Sequence, residues 1–157
     1  MNMEKNMRDI VHLFARIILG VIFIYASYDK LFNPQEFARI IFNYRILPFT
    51  LCRPVAYILP WVELTAGLLL IAGLFTRLGA VIISGLLAAY TVGQLACVIR
   101  GIDIQCGCFS MNPESTRVGL YTVFRDIALL IPSLWLVFAK GRRWTLDRCL
   151  EEKLSNR

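Results

Sequence analysis

Residues 55–99 read VAYILPWVELTAGLLLIAGLFTRLGAVIISGLLAAYTVGQLACVI. A helix crossing a bilayer needs roughly 20 mostly apolar residues. This stretch holds two such runs, Val55–Phe75 and Leu78–Ile99, with only Thr76-Arg77 between them. So short a connection leaves the two helices nowhere to go but side by side. The stretch therefore predicts a tight antiparallel hairpin in a membrane. Gly67, Gly73, Gly79, Gly85 and Gly93 fall within it. Small residues of this kind let membrane helices approach closely.

Two further runs flank the hairpin, Ile10–Tyr28 and Val118–Phe138. The 157 residues are 57% hydrophobic and 18% charged, whereas soluble domains average about 45–50% and about 25%. A soluble domain of this composition would expose an extensive apolar surface. The expected fold is an all-α membrane protein, a four-helix transmembrane bundle forming one domain over residues 1–157. The first run is expected to stay in place rather than be cleaved as a signal peptide, because Arg16 interrupts it and no small-residue cleavage pattern follows. The net charge is +6, but the basic residues are scattered and flank apolar runs. That pattern suits lipid headgroups and membrane orientation, and no nucleic-acid partner is expected.

Four spans put both termini on one side. Lys140-Gly141-Arg142-Arg143 directly follows the last span, where basic residues weigh most on orientation. Both termini, with the tail 139–157, are therefore expected in the cytoplasm of a bacterial inner membrane. The opposite loops then face the periplasm. The first of these, Asp29 to Pro54, is too long for a turn. Asn33-Pro34 suits a helix start, and Phe37, Ile40, Ile41 and Tyr44 recur at helical spacing. An additional amphipathic helix is expected here, capping the bundle or closing over an outward site.

The second outer loop carries Cys106-Gly107-Cys108-Phe109. Two thiols so close can exchange a disulfide with each other or pass one to a partner. A bond between Cys106 and Cys108 closes a very small, strained ring, and strained disulfides are the more oxidising and labile ones. Cys52 and Cys97 fall near the same face, while Cys149 lies in the tail. Cys106 and Cys108 are thus the candidate redox pair, with Cys52 and Cys97 a candidate second pair. The alternative is static disulfides from Cys106 or Cys108 to Cys52 or Cys97. No metal is expected: the single histidine, His12, sits at the other end of its span, and C-x-C lacks the usual zinc-ligand spacing.

Arg16, Glu63, Arg125 and Asp126 lie within spans, where charge is expensive and must face the interior or a partner. Glu63 is expected to pair with Arg16 or Arg125, and Asp126 with Lys30 or another arginine. These groups either hold helices together or form a pocket for a quinone and its protons. Glu63, Arg125, Asp126 and Trp61 are the candidate pocket residues, with Tyr25, Tyr28, Tyr90 and Gln94 nearby.

Several motifs in fixed order resemble the DoxX-like membrane proteins, and most closely the MauE branch. They are Tyr25-Ala26-Ser27-Tyr28-Asp29-Lys30-Leu31, then Asn33-Pro34 and Phe37, and Asn43-Tyr44-Arg45-Ile46-Leu47-Pro48. Leu59-Pro60-Trp61-Val62-Glu63, Gly67 through Gly73, Arg100-Gly101-Ile102-Asp103 before the CGCF run, and Arg125-Asp126 complete the series. The resemblance spans Arg16 to about Phe138 and implies a four-helix, redox-associated membrane protein. MauE-type proteins are implicated in maturing methylamine dehydrogenase, a disulfide-rich enzyme, and DoxX-type relatives in sulfur oxidation and quinone reduction. By architecture the chain also resembles four-helix enzymes that pass thiol electrons to quinone, although those carry C-x-x-C rather than C-x-C.

The expected function is membrane thiol–disulfide exchange or disulfide maturation of periplasmic proteins. A thioredoxin-like partner or disulfide-rich client would react at Cys106/Cys108, and electrons would leave through Cys52 or Cys97 to a quinone. A non-enzymatic scaffold with structural disulfides, and a quinone-reducing subunit of sulfur oxidation, are the alternatives. The sequence leaves open whether the chain is an enzyme.

Overall fold

The computed structural model describes residues 2–102, 104, 106–107 and 118–138. Within these residues the chain is all-helical, with α1 Asn2–Phe32, α2 Pro34–Asn43, α3 Phe49–Ala72, α4 Thr76–Ile99 and α5 Leu120–Phe138. Cys108, Cys149 and the basic tail lie outside the described residues.

Four helices, α1, α3, α4 and α5, are long and apolar enough to cross a membrane. The chain is a multi-pass membrane protein. α1 packs mainly on α3, α4 on α5, and α3 turns back onto α4. Their shared core contains Leu19, Phe23, Leu70, Ile83, Leu87 and Leu136. Large apolar side chains such as Val21, Leu68, Val92 and Phe124 are exposed on the outer faces, as expected where lipid is the solvent.

The expected short helix is α2. Pro34 fixes φ in its first turn, and Phe37 and Ile40 are buried against Ala56 of α3. Its apolar stripe therefore packs onto the bundle.

Helix ends differ from the apolar runs in ways that have physical causes. α1 continues to Phe32, because nothing breaks it before Asn33-Pro34. α3 begins at Phe49 rather than Val55 and accommodates both Pro54 and Pro60. In water a proline ends most helices, but membrane helices tolerate it because neighbouring groups satisfy the freed carbonyls. α3 stops at Ala72, where Gly73 takes φ +71. Gly73 N–H donates to the Leu69 and Leu70 carbonyls and Leu74 N–H to Leu69 O at 3.2 Å, a Schellman ending.

Gly67 and Gly20 together let α1 and α3 approach closely. A Cβ on Gly67 would lie 2.9 Å from Gly20 O, and one on Gly20 would lie 2.9 Å from Gly67 O. Gly85, by contrast, faces open space and mediates no approach. Gly67→Val is expected to force α1 and α3 apart and cost about 1–3 kcal/mol, the usual penalty of overpacking. Denaturation in detergent micelles would measure it, and a native midpoint would contradict this crossing.

Candidate functional site

The polar residues inside the bundle sort into two ends. At one end Arg16, buried in α1, donates through Nε to Leu70 O at 2.9 Å and through Nη2 to Ile71 O at 3.3 Å. These carbonyls belong to the last turn of α3, where the helix's own donors run out, and Leu70 O also accepts from Gly73 N–H at 3.3 Å. Arg16 is therefore a helix cap and does not pair with Glu63. His12 lies at the same end, its ring 5.8 Å from that of Trp135.

At the other end, two ionic clusters lie one helical turn apart along α4. The first joins α1, α3 and α4. Lys30 Nζ donates to both carboxylate oxygens of Glu63, at 2.6 and 2.8 Å, and the two side chains are fully buried. The Tyr90 hydroxyl donates to Glu63 Oε1. The Lys30 ammonium also sits 5.1 Å from the Phe37 ring centroid and 5.0 Å from that of Tyr90, within cation–π range.

Glu63 thus takes Lys30 rather than Arg16 or Arg125. The reason is depth. Lys30 and Arg16 are separated by about 20 Å along α1, and the antiparallel register with α3 brings only Lys30 to Glu63. The length of α1 explains why Lys30 is inside at all, since it occupies the helix's last turn.

The second cluster joins α4, α5 and the cysteine loop. Asp126 is fully buried and accepts from Gln94 Nε2 at 2.6 Å. Arg125 Nε and Nη2 both donate to Asp126 Oδ1, at 3.0 and 2.9 Å. Asp126 is therefore held by an arginine, its own neighbour in sequence, and not by Lys30. The same Arg125 Nη2 donates to Cys106 Sγ at 3.6 Å. Tyr90 and Gln94, four residues apart on α4, face the same side and serve one cluster each.

The loop itself is clamped onto α2. The Tyr44 hydroxyl donates to Cys106 O at 2.8 Å. Gly107 adopts φ +64, and a Cβ there would meet Ile40 Cγ2 at 2.7 Å. Cys106 consequently has only 6% of its surface exposed. Next to it is a cavity of ≈ 260 Å³, walled mainly by apolar residues of α2, α3 and α4 and reached by Tyr90 and Cys106. Tyr44→Phe removes one hydrogen bond, worth about 1 kcal/mol. It should raise the rate of Cys106 alkylation several-fold, and an unchanged rate would mean that Tyr44 does not restrain the loop.

Other candidate residues sit elsewhere. Trp61 is 59% exposed, and Tyr25 and Tyr28 also face outward. On a helix two residues apart point about 200° from each other, so with Glu63 inside, Trp61 must face out. Aromatic residues at membrane surfaces commonly anchor a helix at the interface. Cys52, buried in the first turn of α3, donates weakly to Pro48 O at 3.5 Å. Cys97 is buried in the last turn of α4, and neither it nor Cys52 forms a disulfide among the described residues. Lys30 as the partner of Glu63, Gln94 as the donor to Asp126, and Tyr44 as the loop clamp are the residues that sequence reasoning misplaced or missed.

A family profile described as methylamine utilisation protein MauE matches residues 8–139, which includes every member of both clusters. The chain belongs to the MauE family. Its relatives include the methylamine utilization protein MauE of Methylophilus methylotrophus, 31% identical over 136 residues, 85% of this chain and 72% of that protein. The MauE of Paracoccus denitrificans is 33% identical over 127 residues, covering 80% of this chain and 67% of that protein. The MauE of Methylorubrum extorquens is 30% identical over 130 residues, covering 82% and 69%. No solved structure matches the chain. The two ionic clusters and the clamped cysteine loop are thus set within the MauE portion of the chain.

Proposed function

We propose that this MauE-family protein is a membrane thiol–disulfide oxidoreductase that helps mature disulfide-bearing periplasmic proteins of methylamine utilisation, with quinone as the terminal acceptor. Its termini are cytoplasmic and its Cys106 end faces the periplasm of a bacterial inner membrane. The observation that carries this reading is the contact of Arg125 Nη2 with Cys106 Sγ. A guanidinium beside a sulfur favours the thiolate, which is the nucleophile and leaving group of disulfide exchange. Arg125 is itself anchored on a buried carboxylate, so its position does not depend on the sulfur's charge.

In the forward direction, a client thiolate attacks Cys108 Sγ of a Cys106–Cys108 disulfide. The S–S bond breaks, a client–Cys108 mixed disulfide forms, and Cys106 leaves as a thiolate beside Arg125. A second client thiolate then attacks the client sulfur of that bond, which releases Cys108 and leaves the client oxidised. The pair has gained two electrons, and two protons return it to the dithiol. Transfer of two electrons and two protons to a quinone restores the disulfide and yields the quinol. The proposal needs only Cys106 and Cys108.

The test is trapping with a thioredoxin-like partner or client in native membranes. In Cys108→Ala, Cys106 attacks a disulfide partner and no second cysteine resolves the product. A mixed disulfide that accumulates and is cleared by reductant is the expected result. Absence of any adduct, with client oxidation unchanged, would leave a non-enzymatic scaffold as the better reading.

A further inference from the structure

We propose that the cavity beside Cys106 is the binding site for the ring of a membrane-dissolved quinone, the acceptor that takes electrons from the cysteine pair. This inference rests on the thiol–disulfide reading for its chemistry, but the site is defined by geometry alone. The cavity has a volume of ≈ 260 Å³, and its walls include Phe37, Ile40, Leu59, Tyr90, Gly93 and Cys106. An apolar cavity of about 150 Å³ holds a benzene molecule, and drug-sized sites begin at about 300 Å³. The space therefore fits one substituted ring and the start of a tail.

Its chemistry narrows the occupant further. Among the described residues, no charged side chain lines the cavity. A nicotinamide or flavin nucleotide would bring phosphates against a wall with no cation to meet them, at prohibitive desolvation cost. The occupant must be neutral and soluble in lipid. It must also take two electrons, because a sulfur on the wall belongs to a dithiol that loses two electrons when it becomes a disulfide. A quinone ring meets all three conditions.

Reduction of the ring also requires two protons, and the wall offers a route for them. Tyr90 lines the cavity, and its hydroxyl is hydrogen-bonded to Glu63, which is paired with Lys30. The balanced step forms the S–S bond, releases both thiol protons and places two hydrogens on the two quinone oxygens. Tyr90, with the Glu63–Lys30 pair behind it, is the group positioned to pass one of them. Trp61 takes no part, since it faces outward. The site is bounded by α2, so the amphipathic helix is one wall of the quinone pocket as well as the clamp on the cysteine loop.

The experiment is photolabelling of the full-length protein in nanodiscs with an azido-benzoquinone, competed by decylubiquinone and mapped by peptide sequencing. Competable label within residues 37–47 or 89–93 is expected. A Cβ at Gly93 makes only ordinary contact with Tyr44, at 3.5 Å, so Gly93→Ala should label normally. Gly93→Leu projects into the cavity and should reduce labelling at least tenfold. Cys106→Ser should retain the label, because binding needs the cavity and not the thiol. Label that is absent, not competed, or confined to other helices would overturn the site, as would full labelling of Gly93→Leu. Because the label map of the native protein decides by itself, misfolding of that variant would not rescue the proposal. Trapping without label in the cavity overturns this site alone. Label in the cavity without trapping overturns the relay alone.

Discussion

Glu63→Leu is expected to destabilise the bundle by about 3–5 kcal/mol, the usual cost of leaving one member of a buried ion pair without its counter-charge. Lys30 and Glu63 are both fully buried, and the ammonium reaches both carboxylate oxygens. Removing Glu63 strands that ammonium among Phe37, Tyr90 and the helix interior, and it also leaves the Tyr90 hydroxyl without its acceptor. At about 1.4 kcal/mol per decade, the folded fraction relative to unfolded falls roughly a hundred- to a few thousand-fold. Lys30→Met should cost a similar amount for the mirror reason. The double variant Lys30→Met/Glu63→Leu should recover most of the loss, since an apolar replacement of a whole buried pair is often neutral or better. Adding Tyr90→Phe removes a hydroxyl that has lost its Glu63 acceptor and should recover a further part of the loss. Denaturation by SDS titration in mixed micelles measures all four. A native midpoint for Glu63→Leu would mean that the pair is solvated and is no part of the interior.

That series also separates structure from chemistry. If the pair served only to hold α1 against α3, the stable triple variant would oxidise clients as fast as the native protein. If Tyr90 and Glu63 hand protons to an occupant of the cavity, the triple variant would be folded and slow. The stability measurement and the turnover measurement then point in opposite directions, which a purely structural role cannot produce.

How much of this was readable in the sequence depends on what each feature needed to know. Spans need only a run of apolar residues, and four helices appear where four runs lay. The short helix α2 was readable because Asn33-Pro34 starts it and Phe37 and Ile40 share one face. The start of α3 was not, because Pro54 reads as a breaker by rules learned in water. Ion pairing was least readable of all. Both Arg16 and Lys30 lie on α1, and only the register of α1 against α3, fixed at the Gly20–Gly67 crossing, decides which one meets Glu63. Gly20 was the overlooked half of that crossing. Arg125-Asp126 looked like two separate problems in the bilayer and proved to be one solution, because an arginine is long enough to fold back on its neighbour. The proximity of that guanidinium to Cys106 depends on where the loop folds, and no spacing in the sequence encodes it.

In the Cys108→Ala background, Cys106→Ser should abolish mixed-disulfide formation, and Arg125→Leu should slow it by at least tenfold with Cys106 still present. The two effects have different origins. With Cys108 already replaced, serine leaves the pair no sulfur to bond to the partner, so no adduct forms at any time. Leucine keeps the sulfur but removes the Nη2 donor at 3.6 Å, so a smaller fraction of Cys106 is thiolate and it is a poorer leaving group. Arg125→Leu also strips Asp126 of its cation, leaving a buried carboxylate held by Gln94 alone, and some stability should be lost with it. Arg125→Leu/Asp126→Leu removes that complication, because the lone carboxylate goes too. If Arg125 acts through the sulfur, the double variant regains stability but not the rate, and raising the pH accelerates it more than the native protein because more thiol ionises. If Arg125 only neutralises Asp126, the double variant regains both. Stopped-flow reaction of the reduced protein with a small disulfide, followed across pH, distinguishes these outcomes without any need to know the client. A native rate for Arg125→Leu at neutral pH would remove the observation on which the thiol–disulfide reading is built.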